Sequence, residues 1–227
     1  MAHAPQPRQL ALSLPHREHL ARDDFLEGAA NAAALAMIER WPDWPGPFLF
    51  VVGPKGAGKT HLAAIWAEFA GARVISARAL SVAAVPGALA TGALVVEDVE
   101  PGNFDPAALF HLLNLAREEG AFVLLTAHGP PAAWAVELRD LASRLRAIPT
   151  VELADPDDAL LRALIVKLCA DRQLRVDEAT VGYLAGRIER SFSAARDVVE
   201  RLDEASLRLR RPATRALAAE ILRAEGA

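Results

Sequence analysis

The segment GPKGAGKT, residues 53–60, lies directly after a short apolar run, FLFVV at 48–52, and directly before a helical pattern that begins at Lys59. Its residue types suit one task, which is holding phosphate. Gly53, Gly56 and Gly58 let successive backbone N–H groups turn inward around an anion, while Pro54, Lys55 and Ala57 complete the loop. The helix that follows adds the positive end of its dipole, Lys59 reaches terminal phosphates, and Thr60 offers a hydroxyl to Mg2+. His61 belongs to the same first helical turn. The chemistry predicted is binding of ATP or ADP with magnesium.

Hydrolysis would also need a metal-holding acid and a way to aim water at the γ-phosphate. The candidate is LVVEDVE at 94–100, an acidic pair at the end of an apolar strand pattern, where a parallel sheet presents its ligand edge. Glu97 stands at the metal-associated position and Asp98 at the water-polarising one. Neighbouring strand residues point to opposite faces, so the two cannot exchange roles. Glu97 reaches toward magnesium with one methylene more than an aspartate, and slow intrinsic turnover is expected.

These residues need a scaffold. Besides FLFVV, short apolar runs recur at 72–76 (ARVIS), 93–97 (ALVVE) and 122–126 (FVLLT), with helical patterns between most of them. TVEL at 150–153 supplies a fifth. Alternation of this kind predicts an α/β fold, a parallel five-stranded sheet with helices on both faces. Ahead of it, residues 23–40 read as a helix with Asn31 as a candidate cap, ended by WPDWPGP, whose prolines cannot continue it. After Ala154 the pattern is helical throughout, over 155–171, 177–190, 193–210 and 212–224. The expected organisation is an N-terminal arm (1–20), a nucleotide-binding α/β domain (21–153) and a small all-helical lid (154–227).

Composition excludes other classes. The chain has 227 residues, 52% hydrophobic and 24% charged, enough for a full core, and its net charge of −4 gives no overall footprint for nucleic acid. A single cysteine, Cys169, cannot form an intramolecular disulfide. His3, His16 and His19 lie in the arm and no H-E-x-x-H occurs, so no metal is expected beyond that of the nucleotide. With no apolar run of membrane-spanning length and no signal pattern, a cytoplasmic location is expected.

With the phosphate loop in place, the chain resembles the AAA+ ATPases of the DnaA and Hda branch from about Asp23 onward. FVLLTAHGPPAAW (122–134) is similar to the sensor 1 strand and its double-proline turn, DLASRL (140–145) to the arginine-finger segment, and FSAARDVVERLDEASL (192–207) to the lid helix. The resemblance implies that Arg144 acts in trans at a neighbour's γ-phosphate, and that Arg196 reaches the chain's own phosphates from the lid. A solvated helix-end role for Arg144 and an i,i+4 pair of Arg196 with Glu200 are the plainer readings. At sensor 1 this chain carries His128 where the initiator has an aspartate, which again implies weak self-catalysed hydrolysis. A turn residue is the alternative for His128. No DNA-reading helix-turn-helix is expected after the lid, and so no direct sequence-specific DNA binding.

Within that resemblance three functions compete. The first is an Hda-like accessory protein that, with the DNA-loaded β sliding clamp, stimulates ATP hydrolysis by the initiator DnaA and prevents re-initiation of replication. RQLALSLP at 8–15 supports it, because bacterial clamp-binding peptides resemble Q-L-x-L followed by an apolar residue. Gln9 would bond at the rim of a cleft, and Leu10, Leu12 and Leu14 would offer apolar side chains to it, unless they fold back on this protein. The second is a helicase-loader-type ATPase; the third is a non-hydrolysing, nucleotide-gated adaptor. Self-association into a homo-oligomer is compatible with each.

Overall fold

A computed structural model describes residues 20–224 of the chain. The segment RQLALSLP, with Gln9, Leu10, Leu12 and Leu14, lies outside the described residues. Among those described, no helix is long and apolar enough to cross a membrane.

Five strands, β1 (Phe48–Val52), β2 (Arg73–Ser76), β3 (Ala93–Glu97), β4 (Phe122–Ala127) and β5 (Thr150–Glu152), pair in parallel in the order β2-β3-β4-β1-β5. This is the α/β architecture expected. Each residue of β1 is buried, and alternate side chains serve opposite layers. Phe48, Phe50 and Val52 join Leu94, Val96, Val123 and Leu125 in a core closed by α4 (Pro106–Glu119) and α5 (Arg139–Ala147). Leu49 and Val51 face the other way, with Val95 and Leu124, onto α1 (Ala32–Glu39) and α2 (Lys59–Ala70). There Trp66 is fully buried and stacks on Trp44, centroids 5.1 Å apart. A one-turn α3 (Val85–Ala88) leads into β3.

The strand ranges match the sequence reading to within a residue, but ARVIS lies at the sheet edge, with three of the four residues of β2 exposed. The helix expected over 23–40 is shorter. Residues 22–24 form a 3-10 turn, and α1 starts only at Ala32. Asn31 does precede α1, yet its side chain closes the preceding turn: Oδ1 accepts from Gly28 N at 2.9 Å and Nδ2 donates to Leu26 O at 2.9 Å. An amide so engaged has no oxygen left to cap the helix.

Four helices follow β5: α6 (Asp158–Asp171), α7 (Glu178–Ala185), α8 (Phe192–Leu209) and α9 (Arg215–Arg223). α6 and α9 start three residues later than their periodic patterns, α7 ends five residues earlier, and α8 keeps its 18 residues one position earlier; caps set the starts, the side chains of Asp157, Asp177, Ser191 and Thr214 accepting from backbone N–H groups of the first turn. The helices share a core of their own, including Leu161, Ile165, Leu184, Val199 and Leu202. Cys169 sits in it at 1% exposure, and burial pushes its thiol up to about 11. At pH 8 such a thiol is roughly 100-fold less ionised than one at the ordinary thiol value of 9.0. A disulfide reagent at pH 8 is therefore expected to label Cys169 of the native protein at least about 100-fold more slowly than in denaturant. Equal rates would show that this core is open.

Candidate phosphate-binding site

The loop between β1 and α2 is shaped by positions that exclude side chains. Gly56 has φ +77° and Gly58, at the N-cap of α2, has φ +95°. A Cβ on Gly53 would stand 2.5 Å from Leu153 O, where β5 ends. Lys59 is only 7% exposed, and its Nζ donates to Gly53 O at 2.8 Å and Pro54 O at 2.9 Å. Burial lowers its pKa, while Asp98 and Glu100 work in the opposite direction. The ammonium is thus desolvated, bound only to neutral carbonyls, and under the influence of two nearby carboxylates. Thr60 beside it is exposed.

The acids are placed by the exit of β3. Thr126 of β4 holds that exit: its Oγ1 accepts from Asp98 N at 3.0 Å and its carbonyl accepts from Val99 N at 2.8 Å. Asp98 adopts φ 57°, a left-handed conformation that aspartate tolerates better than most residues, and Asn103 Nδ2 donates to its carbonyl at 3.1 Å. This bend takes Asp98 out of the strand's alternation. Its side chain lines a cavity of about 400 Å³ together with Lys55, Gly56, Gly58, Lys59, Thr60 and His61. His128, from the end of β4, and Arg196, from α8, line the same cavity. Glu97 does not; its Oε1 is buried without a hydrogen-bond partner.

A second cavity of about 280 Å³ adjoins the first and shares Gly58, His61 and Arg196 with it. Phe25, Leu26, Leu164, Leu168 and Phe192 give it apolar walls. Lys167 crosses its rim from α6, bonding Asp24 at 2.8 Å and Asp171 at 2.9 Å. Burial works against the Lys167 ammonium, but its hydrogen bonds to the two carboxylates outweigh it and raise the pKa overall. His61 Nε2 lies 3.0 Å from Ala21 O, and its ring meets Phe25 edge-on at 5.2 Å.

The predicted residues thus divide. The loop, Asp98, His128 and Arg196 converge on one cavity. Arg144 lies away from it on α5, its guanidinium 4.8 Å from the centroid of Phe110 on α4. Sequence reasoning gave Glu100 no role, yet its Oε1 accepts from the backbone N–H of His128 and stands 3.1 Å from His128 Nδ1. The pair is 28 residues apart, and no local spacing announces it.

Solved structures with this arrangement were found at low sequence identity. Domain III of the Thermotoga maritima replication initiation protein DnaA superposes with TM-score 0.75 at 17% identity, over 92% of this chain and 98% of that one. The fold is that of an AAA+ ATPase domain. The T. maritima RuvB Holliday junction branch migration motor shares the fold, with TM-score 0.71 at 18% identity over 90% of this chain and 71% of that one. A DnaA bound to AMPPCP and single-stranded DNA superposes with TM-score 0.63 at 20% identity, over 83% of this chain and 67% of that one. An uncharacterized protein of Haemophilus influenzae is 26% identical over 223 residues, covering 91% of this chain and 95% of its own length. No protein-family model matches the chain.

The phosphate loop and the helical unit touch at one tight point. A Cβ on Gly56 would meet Ser193 Oγ, from the first turn of α8, at 2.2 Å. Gly56→Ala should therefore destabilise the protein by about 1–3 kcal/mol, combining left-handed backbone strain with this clash. The double variant Gly56→Ala/Ser193→Gly should recover the steric share alone. Thermal unfolding of the four proteins in the cycle measures both shares, and strict additivity would show that loop and helix do not touch in solution.

Proposed function

We propose that this chain is a nucleotide-binding AAA+ protein that takes ATP or ADP with Mg2+ in the cavity under the phosphate loop. The observation that carries the reading is the Lys59 ammonium, buried and held only by two loop carbonyls at the mouth of a helix N-terminus. A desolvated cation placed there gains most from an anion, and a phosphate chain satisfies both it and the loop N–H groups. Arg196 reaches the same cavity from α8, so bound phosphate would tie the helical unit to the loop. The adjoining apolar cavity, between Phe25 and Phe192, suits a base and ribose.

Magnesium fits the residues present. Thr60 offers an exposed hydroxyl beside Lys59; Glu97, whose buried Oε1 has no hydrogen-bond partner, does not line the cavity and would have to turn toward it to reach the ion. Among the described residues no group of three His, Cys, Asp or Glu could hold a metal by itself, so the nucleotide phosphates would provide the remaining ligands. The ion would neutralise charge on the β- and γ-phosphates. The acid that reaches the cavity wall is Asp98, and its backbone is pinned by Thr126. This division favours a site that binds well and turns over slowly, with Asp98 the group able to orient water.

The finer reading is an Hda-like partner of the initiator. Arg144 supports it: the side chain lies outside its own cavity, where it can serve a neighbouring subunit's nucleotide, and an arginine supplied in trans is typically worth about 10³ to 10⁵ in rate. RQLALSLP would dock on the β sliding clamp, bringing Arg144 to ATP-bound DnaA. A non-hydrolysing adaptor is the second reading, favoured by the burial of Glu97 away from the phosphate cavity. The test is ATP hydrolysis by DnaA with this protein, with and without clamp loaded on DNA. Stimulation that requires clamp is expected, reduced at least about 10²-fold by Arg144→Ala and lost with Gln9→Ala/Leu10→Ala, which should also abolish clamp binding. Full stimulation by Arg144→Ala would remove the role in trans, and stimulation indifferent to clamp would remove the arm's role. Lys59→Ala should lose nucleotide binding in calorimetry.

A further inference from the structure

The helical unit carries a basic surface that the nucleotide cavity does not use. Residues 207–215, LRLRRPATR, hold four arginines and no acid. Arg211 is taken by Glu220, its Nη1 and Nη2 donating to the two carboxylate oxygens at 2.9 and 3.0 Å. Among the described residues, Arg208, Arg210 and Arg215 form no ion pair, and all three are exposed. Arg210 ends α8 at φ 50°, a left-handed place that glycine usually fills. Backbone strain of that kind is commonly kept where a side chain is of use.

From this corner the positive charge continues across α7. The guanidinium carbon of Arg187 lies 3.9 Å from the ring centroid of Tyr183, and that of Arg215 lies 5.2 Å from it. The two guanidiniums are therefore at most about 9 Å apart, inside the Debye length of about 10 Å at 0.1 M salt, and act on an approaching anion as one field. Contact with the ring also restrains side chains that would otherwise sweep through solvent. Beside Tyr183, a Cβ on Gly182 would stand 3.2 Å from Nη1 of Arg162, so a third guanidinium, from α6, lies against the backbone of α7. Arg162 and Arg187 are exposed and have no carboxylate partner among the described residues. Arg190 differs, because Asp158 pairs with it at 2.9 Å.

The chemistry of this surface selects its partner. A protein partner would need an apolar centre; Leu207 and Leu209 are exposed, but two residues apart on a helix they lie on opposite sides and make no patch. Base stacking would need a free aromatic ring, and two arginines already occupy Tyr183. A run of phosphates meets neither objection. We propose that Arg162, Arg187, Arg208, Arg210 and Arg215 bind the sugar-phosphate backbone of duplex DNA without regard to sequence, with Tyr183 as the positioning residue for two of them. The proposal goes beyond the nucleotide reading and does not depend on it. A net charge of −4 is no obstacle, since the footprint is local.

The test is fluorescence anisotropy of the full chain, without nucleotide, on labelled duplexes of two unrelated sequences between about 50 and 200 mM salt. Both duplexes should bind equally, with Kd between about 10⁻⁶ and 10⁻⁴ M and a log-log salt slope of about −3 to −5. Arg187→Gln/Arg215→Gln should flatten the slope by about 2 and weaken binding at least about 10-fold at the lowest salt. Tyr183→Leu keeps every charge, so the slope should stay while affinity falls about 3-fold, and Tyr183→Phe, which keeps the ring, should bind as wild type. Arg139→Gln/Arg146→Gln, which removes the same charge from exposed positions on α5, should change neither quantity. Absence of duplex binding at the lowest salt, or an equal loss in the α5 variant, overturns the surface. Tighter binding of single-stranded DNA, or of poly-glutamate of matched charge, overturns the choice of partner.

Discussion

Lys59 is the constraint around which the site is built. Burial of an ammonium is tolerable only if its hydrogens are satisfied, and here the partners are two carbonyls of its own loop, Gly53 O and Pro54 O. Those carbonyls can point inward only because Gly53 packs without a Cβ against Leu153 O at the end of β5, and because Gly56 and Gly58 turn the chain through positive φ. The loop is therefore fixed from two sides, by the neighbouring strand below and by Ser193 of α8 above. The sheet order matters for this reason. With β1 between β4 and β5, the loop leaves the sheet where both neighbours end and can be contacted from each.

Thr126 does for the acidic side what Gly53 does for the basic side. By receiving the N–H of Asp98 on its hydroxyl and that of Val99 on its carbonyl, it joins the exits of β3 and β4 into one rigid corner. Asp98 and His128 are carried on that corner, and Glu100 closes it by bonding back to His128. The left-handed backbone at Asp98 costs of order 1 kcal/mol and persists because these bonds over-determine it. Such strain is commonly kept where a side chain must be aimed, and the side chain aimed here lines the cavity that contains Lys59.

The sheet was legible in the sequence because each strand is a short apolar run bounded by turn residues, and burial of β1 on both faces demands such a run. The phosphate loop was legible because its chemistry is local: eight consecutive residues do the work. What escaped were relations between distant segments. Alternation along a strand predicts opposite faces for Glu97 and Asp98, but nothing in LVVEDVE predicts that Thr126 bends the chain at Asp98. Glu100 has no signal of its own, since its value depends on His128 lying across the corner. Asn31 looked like a helix cap by type and position, and its amide is spent on the turn before the helix, Oδ1 accepting from Gly28 N and Nδ2 donating to Leu26 O.

The two cavities also define how a ligand could act beyond its own contacts. Arg196 and His61 line both; Arg196 belongs to the helical unit, and His61 Nε2 lies 3.0 Å from Ala21 O, just ahead of the 3-10 turn at 22–24. Lys167 of α6 joins the same two regions from the far rim through Asp24, while its bond to Asp171 stays within α6. A molecule filling this space would therefore touch the loop, the helical unit and residues 20–26 at once. Any difference in how it engages them changes the relative stability of their arrangements by the difference in contact energy, and by no more than that. Partly exposed ion pairs such as those of Lys167 are each worth on the order of 1 kcal/mol, so they can bias this arrangement but cannot lock it. The stronger lever is the buried one, where phosphate would replace carbonyls as the partner of Lys59 and draw Arg196 to the same charge.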